Sequence, residues 1–238
     1  MNGMNTPAVV NPPERVRRPR AGTQQKLEHL LSVAAGLIAQ KGYEQTAIRD
    51  VGRETGVSLP GMYYYFKSKE DLLFQIQHRT FSSLLEAQQA ASEVEEPPDR
   101  KLRRLVVGHL AFYAQHPKEM KVCTFELESV RDEAYREIKH LRRRYYSLVA
   151  GVVGRVLERA GRPDPDGLLE RHLTLFVFGM LNWIFMWYDP ERDGPPARLG
   201  EEMADLALHG LVGARQPQLE CETPKERDNG DVSLETGR

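Results

Sequence analysis

Cysteine is nearly missing from this chain of 238 residues: Cys123 and Cys221 are the two it has. Two thiols cannot make a disulfide framework, and they suit a reducing compartment. Net charge is nearly missing too, since 33 basic residues face 34 acidic ones. No overall field therefore announces a nucleic acid or an anionic membrane. No apolar run reaches the ~20 residues of a membrane span; the most apolar stretch, residues 173–188, is interrupted by Gly179 and Asn182. The first twenty residues carry Pro and Arg but no apolar segment of the signal-peptide kind. Together these absences lead us to expect a cytoplasmic protein that does not enter a membrane. Enzyme signatures are absent as well. There is no H-E-x-x-H, no Gly-rich phosphate loop behind a strand and no serine-nucleophile motif. His109, His116 and Cys123 can be assembled into a metal site only on paper, because nothing in their spacing compels it. No catalytic residue, metal or cofactor is expected. No alternating strand pattern survives either, so the fold class is all-α.

What charge there is falls unevenly. Residues 1–69 hold ten Lys/Arg and five Asp/Glu, a balance of +5. Residues 216–238 hold three and six, a balance of −3. A locally basic N-terminal part is what a phosphate-binding face needs. Residues 1–21 are Pro-rich and lack apolar periodicity, so a disordered basic arm is expected there. Arg15, Arg17, Arg18 and Arg20 suit entry into a minor groove, or simply a solubilising tail. Residues 216–238 read as a disordered acidic tail.

The stretch that organises the rest is residues 43–74, YEQTAIRDVGRETGVSLPGMYYYFKSKEDLLF. Thr23 is a candidate cap for a helix ending at Gly42, with Leu27, Leu30, Leu31, Ala34, Leu37 and Ile38 as its inward stripe. Thr46 offers a hydroxyl to cap the next helix, in which Ile48 and Val51 face inward. Gly56 stands where a left-handed residue is wanted. Ser58 can cap a second short helix, with Pro60 in its first turn, where a missing N–H costs nothing. That helix is too short to stand alone. A short, neighbour-held helix behind a Gly turn is the plan of a DNA-reading helix-turn-helix. Ser68 then caps a longer helix, with Glu70 and Asp71 favourably placed in its first turn.

At these residues the chain resembles the TetR family of bacterial transcriptional repressors. The matching pattern is T-x-I-R-D-V-x-x-x-T-G-V-S-x-x-x-x-Y-x-Y-F-x-S-K-E-D-L, from Thr46 to Leu72. The resemblance implies a helix-turn-helix domain over residues 22–68. It also implies a helical ligand-binding and dimerisation domain over 69–215, entered through a linker helix of about 69–91, and double-stranded operator DNA as partner. Leu59, Pro60, Gly61, Met62, Tyr63 and Tyr64 stand near the exposed face of the short helix. They suit thymine methyls and close backbone approach rather than bidentate arginine reading. By family position Thr46, Tyr63, Tyr64 and Lys69 look like phosphate contacts, with Ser58 at the cap, whereas Tyr65 and Phe66 look like core. Arg49 and Arg53 on the preceding helix can touch the backbone or stay solvated.

Beyond Asp99 the pattern is helical throughout: residues 100–116, 118–130, 132–160, 167–188 and 201–215. Residues 176–188, FVFGMLNWIFMWY, are apolar on every side, so burial against a partner subunit, a cavity or both is expected. Paired with the last helix, this stretch would form a four-helix homodimer interface. The segment G-M-L-N-W-x-x-x-W-Y at 179–188 also resembles TetR-type repressors that sense acyl-CoA thioesters. An acyl-CoA needs cations for its phosphates and an apolar tunnel for its acyl part. Arg142, Arg143 and Arg144 span about 200° of a helix, so at least one should face inward. Arg142 and Arg143 are taken as the phosphate candidates. Phe125, Leu127, Trp183, Phe185, Met186 and Trp187 are tunnel candidates, and Asn182 is an amide that needs a partner. The expected function is a dimeric repressor released by a small hydrophobic effector, an acyl-CoA thioester. Two alternatives stay open: a regulator of drug efflux with a drug-like effector, and a small all-α enzyme acting on a hydrophobic substrate.

Overall fold

The computed structural model describes residues 21–213. The basic arm and the acidic tail, with Cys221, lie outside the described residues. Helix α1 spans Ala21–Lys41. Thr23 therefore sits inside the helix and does not cap it. Leu30, Leu31, Ala34, Ala35 and Ile38 bury one face, and Gly42 ends the helix at φ 86°. Helix α2, Ile48–Thr55, begins differently from the expectation. Asp50 reaches back to accept the Ala47 backbone N–H at 3.0 Å, the acidic half of a capping box. Thr46 instead donates its hydroxyl to the Gly42 carbonyl at 2.9 Å, which closes the turn and buries the side chain.

Gly56, at φ 67°, ends α2. Helix α3, Leu59–Tyr65, is capped by Ser58, whose hydroxyl accepts the Gly61 N–H at 3.3 Å. The turn between α2 and α3 is tight because Gly52 lies under it. A β-carbon at Gly52 would come within 2.7 Å of the Val57 carbonyl oxygen, and backbone cannot yield as a flexible side chain does. Gly52→Ala is therefore expected to lower stability by about 1–3 kcal/mol, seen as a lower Tm. An unchanged Tm would show that the turn can widen freely.

Helix α4, Lys69–Ser92, is capped by Ser68, which accepts the Asp71 N–H at 3.0 Å. Val51, Met62, Phe66, Leu72, Leu73 and Ile76 join the α1 stripe in one apolar cluster. Met62, expected on the exposed face of the short helix, is fully buried in it. That burial is what holds a seven-residue helix in place.

The body follows: α5 (Pro98–Gln115), α6 (Pro117–Phe125), a 3₁₀ turn at Leu127–Ser129, α7 (Asp132–Arg159) and α8 (Leu168–Trp183). A second 3₁₀ turn (Ile184–Met186), α9 (Pro190–Asp193) and α10 (Pro196–Gly213) complete the described chain. Every described element is helical or a turn, which makes the fold all-α. Three boundaries differ from the sequence reading by about five residues: α6 stops at Phe125 instead of running to 130, because the 3₁₀ turn intervenes. Helix α8 stops at Trp183 rather than running to Tyr188, because the chain folds back there: the Tyr188 hydroxyl donates to the Gly194 carbonyl at 2.8 Å, and Asp189 caps α9. Helix α10 starts at Pro196, five residues before the expected Glu201.

The body core is a second apolar cluster, built around Leu102, Leu105, Leu110, Val152, Val153 and Ile184. Helix α10 lies close along α5, where a β-carbon at Gly200 would approach the Val107 Cα to 2.9 Å. Helix α8 remains uncovered on one side. Leu168, Leu175, Phe176 and Trp183 are all exposed, and their spacing of seven, eight and fifteen residues from Leu168 puts them on one stripe. Leu206 on the neighbouring α10 is 65% exposed. Among the described residues no helix is long and apolar enough to cross a membrane.

Candidate nucleic-acid interface and effector core

The outer face of α3 presents Leu59, Pro60, Tyr63 and Tyr64, with Ser58 beside them. Tyr64 is 78% exposed. Gly61 is half-buried, and an added β-carbon would strike the Val57 side chain at 2.9 Å. Its small size therefore answers an internal packing need as well as any approach to DNA. Arg49 is exposed on α2, while Arg53 pairs with Asp50 at 3.0 Å. Lys69 lies over the Tyr43 ring at 4.1 Å and donates to the Glu44 carbonyl at 3.2 Å. Among the described residues it has no carboxylate partner, so its charge is available to an anion. Phe66 is buried and Tyr65 half-buried, its ring 6.2 Å from Phe66. Thr46 is the exception in the set. Only 3% exposed, it commits its hydroxyl to the Gly42 carbonyl.

The N-terminal unit is wired to the body by contacts that no local pattern announced. Val122 and Val130, beyond α5, complete the N-terminal cluster. Glu126 accepts the Tyr43 backbone N–H at 3.1 Å and the Ser129 hydroxyl at 2.9 Å. Its carbonyl accepts the Gln77 amide at 2.9 Å. Glu70 on α4 accepts the Arg131 N–H at 2.8 Å. The α6–α7 junction is therefore tied to the helix-turn-helix through Glu126 as well as through α4.

The expected effector residues are only partly brought together. Arg142 is half-buried, stacks at 5.5 Å on Phe81 and lies 3.4 Å from the Cys123 carbonyl. Burial holds its pKa below the ordinary arginine value. Arg143 and Arg144 are exposed: of three successive helical positions only the first turns inward, so Arg143 is not part of the same site. Phe125 packs edge-on against Phe185 at 5.0 Å, and Trp183 lies 6.5 Å from Phe185. These rings cluster at the surface and do not enclose a tunnel: Phe125, Trp183, Met186 and Trp187 are 43–58% exposed. Asn182 is half-buried and Leu127 likewise. A crevice of about 320 Å³ opens elsewhere, between α1, α4, α5 and α6, where Leu31, Ile76, Arg79, Phe112, His116 and Glu119 line it. Among the described residues no group of three potential metal ligands comes together.

The body core holds polar residues that the sequence reading left unassigned. His109 is 1% exposed, with Nδ1 at 2.9 Å from the Tyr145 hydroxyl. Tyr145 meets Phe178 of α8 edge-on at 5.3 Å. Gln88 is buried against Gly108. No motif marks these residues; a lone His in an apolar helix is the only signal. Burial pushes His109 down from 6.5 to about 4. The unfolded chain therefore takes up a proton near 6.5 that the folded chain refuses until about 4. The resulting stability is complete above the higher value and is lost as pH falls through the window, about 1.4 kcal/mol per unit. Urea unfolding between pH 7 and 4 is expected to show this slope, and His109→Phe to remove it. A variant that keeps the full slope would place the titration elsewhere.

Residues 30–76 match the family model described as bacterial regulatory proteins, tetR family. Residues 95–211 match the one described as tetracyclin repressor-like, C-terminal domain. The fatty acid metabolism regulator protein of Bacillus subtilis is 20% identical over 187 residues, 78% of this chain and 95% of that protein. Among solved structures, the TetR family transcriptional regulator PfmR from Thermus thermophilus shares 27% identity at a TM-score of 0.67, covering 76% of this chain and 98% of that one. AibR in complex with isovaleryl coenzyme A and operator DNA shares 22% identity at a TM-score of 0.66, covering 79% and 98%. With both of its parts matched, one by the family's N-terminal model and the other by a C-terminal model, the chain belongs to the TetR family of transcriptional regulators.

Proposed function

We propose that this regulator is a homodimeric repressor whose release from operator DNA is driven by a hydrophobic effector, an acyl-CoA thioester, and that it controls genes of lipid or aromatic-acid degradation. The exposed stripe on α8, with Leu206 on α10, supports the dimer: a chain on its own leaves these apolar side chains in water. Two-fold pairing would set the two α3 helices about 34–36 Å apart, one turn of DNA. In this reading Tyr63, Tyr64, Lys69 and Arg49 meet phosphates, while Leu59, Pro60 and Gly61 approach base edges.

The observation that carries the effector reading is Arg142, a half-buried cation beside an aromatic ring and without a carboxylate partner among the described residues. Such an arginine suits a phosphate or a carboxylate head. The apolar core behind it suits an acyl chain. Two relatives point the same way: one is named for fatty acid metabolism, and another was solved with an acyl-CoA. Effector in the body would move α4 and the Glu126 bridge and so change the separation of the reading helices. A coupling of about 1–3 kcal/mol is typical of such devices.

Thermal unfolding against a panel of acyl-CoAs, with free CoA and free fatty acids alongside, tests this. A ligand at a hundred times its Kd stabilises by about 2.7 kcal/mol, and the same ligand should lower affinity for operator DNA. Stabilisation by hydrophobic drugs and by no thioester would replace this reading with that of an efflux regulator.

A further inference from the structure

The interior of the body is not uniformly apolar. Where α4, α5 and α7 meet, it holds an imidazole, an amide and a phenol whose hydrogen-bonding capacity is only partly used. His109, Gln88 and Tyr145 are 1%, 2% and 4% exposed. The one polar contact made by the Tyr145 hydroxyl among the described residues is His109 Nδ1, at 2.9 Å. A buried phenol donates its proton where it finds an acceptor. Nδ1 is therefore the acceptor, and the neutral ring carries its own proton on Nε2. Among the described residues that Nε2–H has no partner. Nor, among them, has Gln88 Oε1. The Gln88 amide packs 3.2 Å from where a β-carbon of Gly108 would stand, one residue from His109 along α5. A spare donor and a spare acceptor thus flank neighbouring positions of one helix, deep among Leu84, Leu105, Leu110 and Val149.

Each orphaned group costs free energy that an apolar side chain of the same shape would not. A plain hydrocarbon chain laid against this spot would repay nothing. A ketone would answer His109 alone. A hydroxyl accepts from an N–H and donates to a C=O, so it answers both kinds of orphan. We propose that His109 and Gln88 select the effector's acyl part, and that the preferred effector carries a hydroxyl on its hydrophobic body rather than a saturated, unsubstituted chain. Tyr145 is the positioning residue: it fixes the imidazole tautomer that presents Nε2–H. This inference rests on the proposed effector site in the body, but not on the thioester.

The test compares hydroxylated and saturated acyl chains of equal length in two series on the full-length protein. One series is of acyl-CoAs and the other of free fatty acids, with the hydroxyl walked along the chain in each. Affinity is read by thermal shift and calorimetry. At least one hydroxylated member should bind about tenfold tighter than its saturated counterpart, the net worth of its two hydrogen bonds to otherwise unpaired buried groups. His109→Phe and Gln88→Leu should each cut that preference to about threefold, and the double variant should bring the pair to within about twofold, while the saturated chain stays at least as tightly bound. In ¹⁵N spectra the His109 ring should show the Nε2–H tautomer, and its signal should move with the hydroxylated ligand but not with the saturated one. Silence of the CoA series with a hydroxyl preference in the free acids would remove the thioester and keep this inference. Equal binding of both members throughout would overturn it. So would a preference that survives the double variant, which would make the pair a structural or water-filled spot only.

Discussion

Phe176→Glu, and separately Leu206→Glu, should convert the protein to monomers and lower operator affinity by about 10²- to 10⁴-fold, the range lost when two linked reading modules become one. In the isolated chain both residues are about two-thirds exposed, so a carboxylate at either position disturbs little of the chain's own core. In a dimer that buries the α8 stripe, the same carboxylate would lie unpaired in an apolar interface, which costs several kcal/mol. Sedimentation reads the assembly and a DNA titration reads the affinity. Secondary structure and body packing should be retained. A variant that stays dimeric with full operator affinity would assign the interface to another face of the molecule.

Phe66→Ala should destabilise by about 3–5 kcal/mol, a large part of the 5–15 kcal/mol typical of whole domains. Phe66 has no exposed surface and sits with Met62, Leu72 and Leu73 in the N-terminal cluster. Helix α3 makes few contacts of its own and depends on that cluster. DNA binding should therefore be lost first, while the packing of the body survives. Hydrogen exchange locates the damage: protection should fall over residues 21–66 and persist through α5 and α7. Uniform loss of protection would instead show that α4 and the Glu126 bridge fuse the two clusters into one cooperative unit. Either outcome reports on how tightly the body is joined to the helix-turn-helix.

Much of the fold was readable because the signals are short-range. Ser58 and Ser68 cap the helices expected of them, and Gly56 takes the left-handed turn. Thr46 shows how such a signal fails. A threonine before a helix suits a cap, but here a carbonyl four residues back competes for the hydroxyl, and Asp50 takes over the cap from inside the helix. The candidate site was less legible. Three arginines in a row say that one turns inward, but the choice of Arg142 over Arg143 depends on where α4 places Phe81. The apolar run after α8 carries no Gly or Pro before Asp189 to mark the fold-back that exposes Trp183 and Met186.

Local patterns are enough to read an all-α chain with a capped helix–turn–helix near its start. Caps, turns and apolar stripes are settled among residues three or four apart. Which charges are buried, which polar groups share a core and how the two clusters are joined depend on packing between distant helices. The His109–Tyr145 contact spans 36 residues and the Glu126–Tyr43 bridge spans 83. Contacts across such distances exist only once separate helices have packed, because the loop entropy of closing them is offset by the burial of both cores and by nothing local.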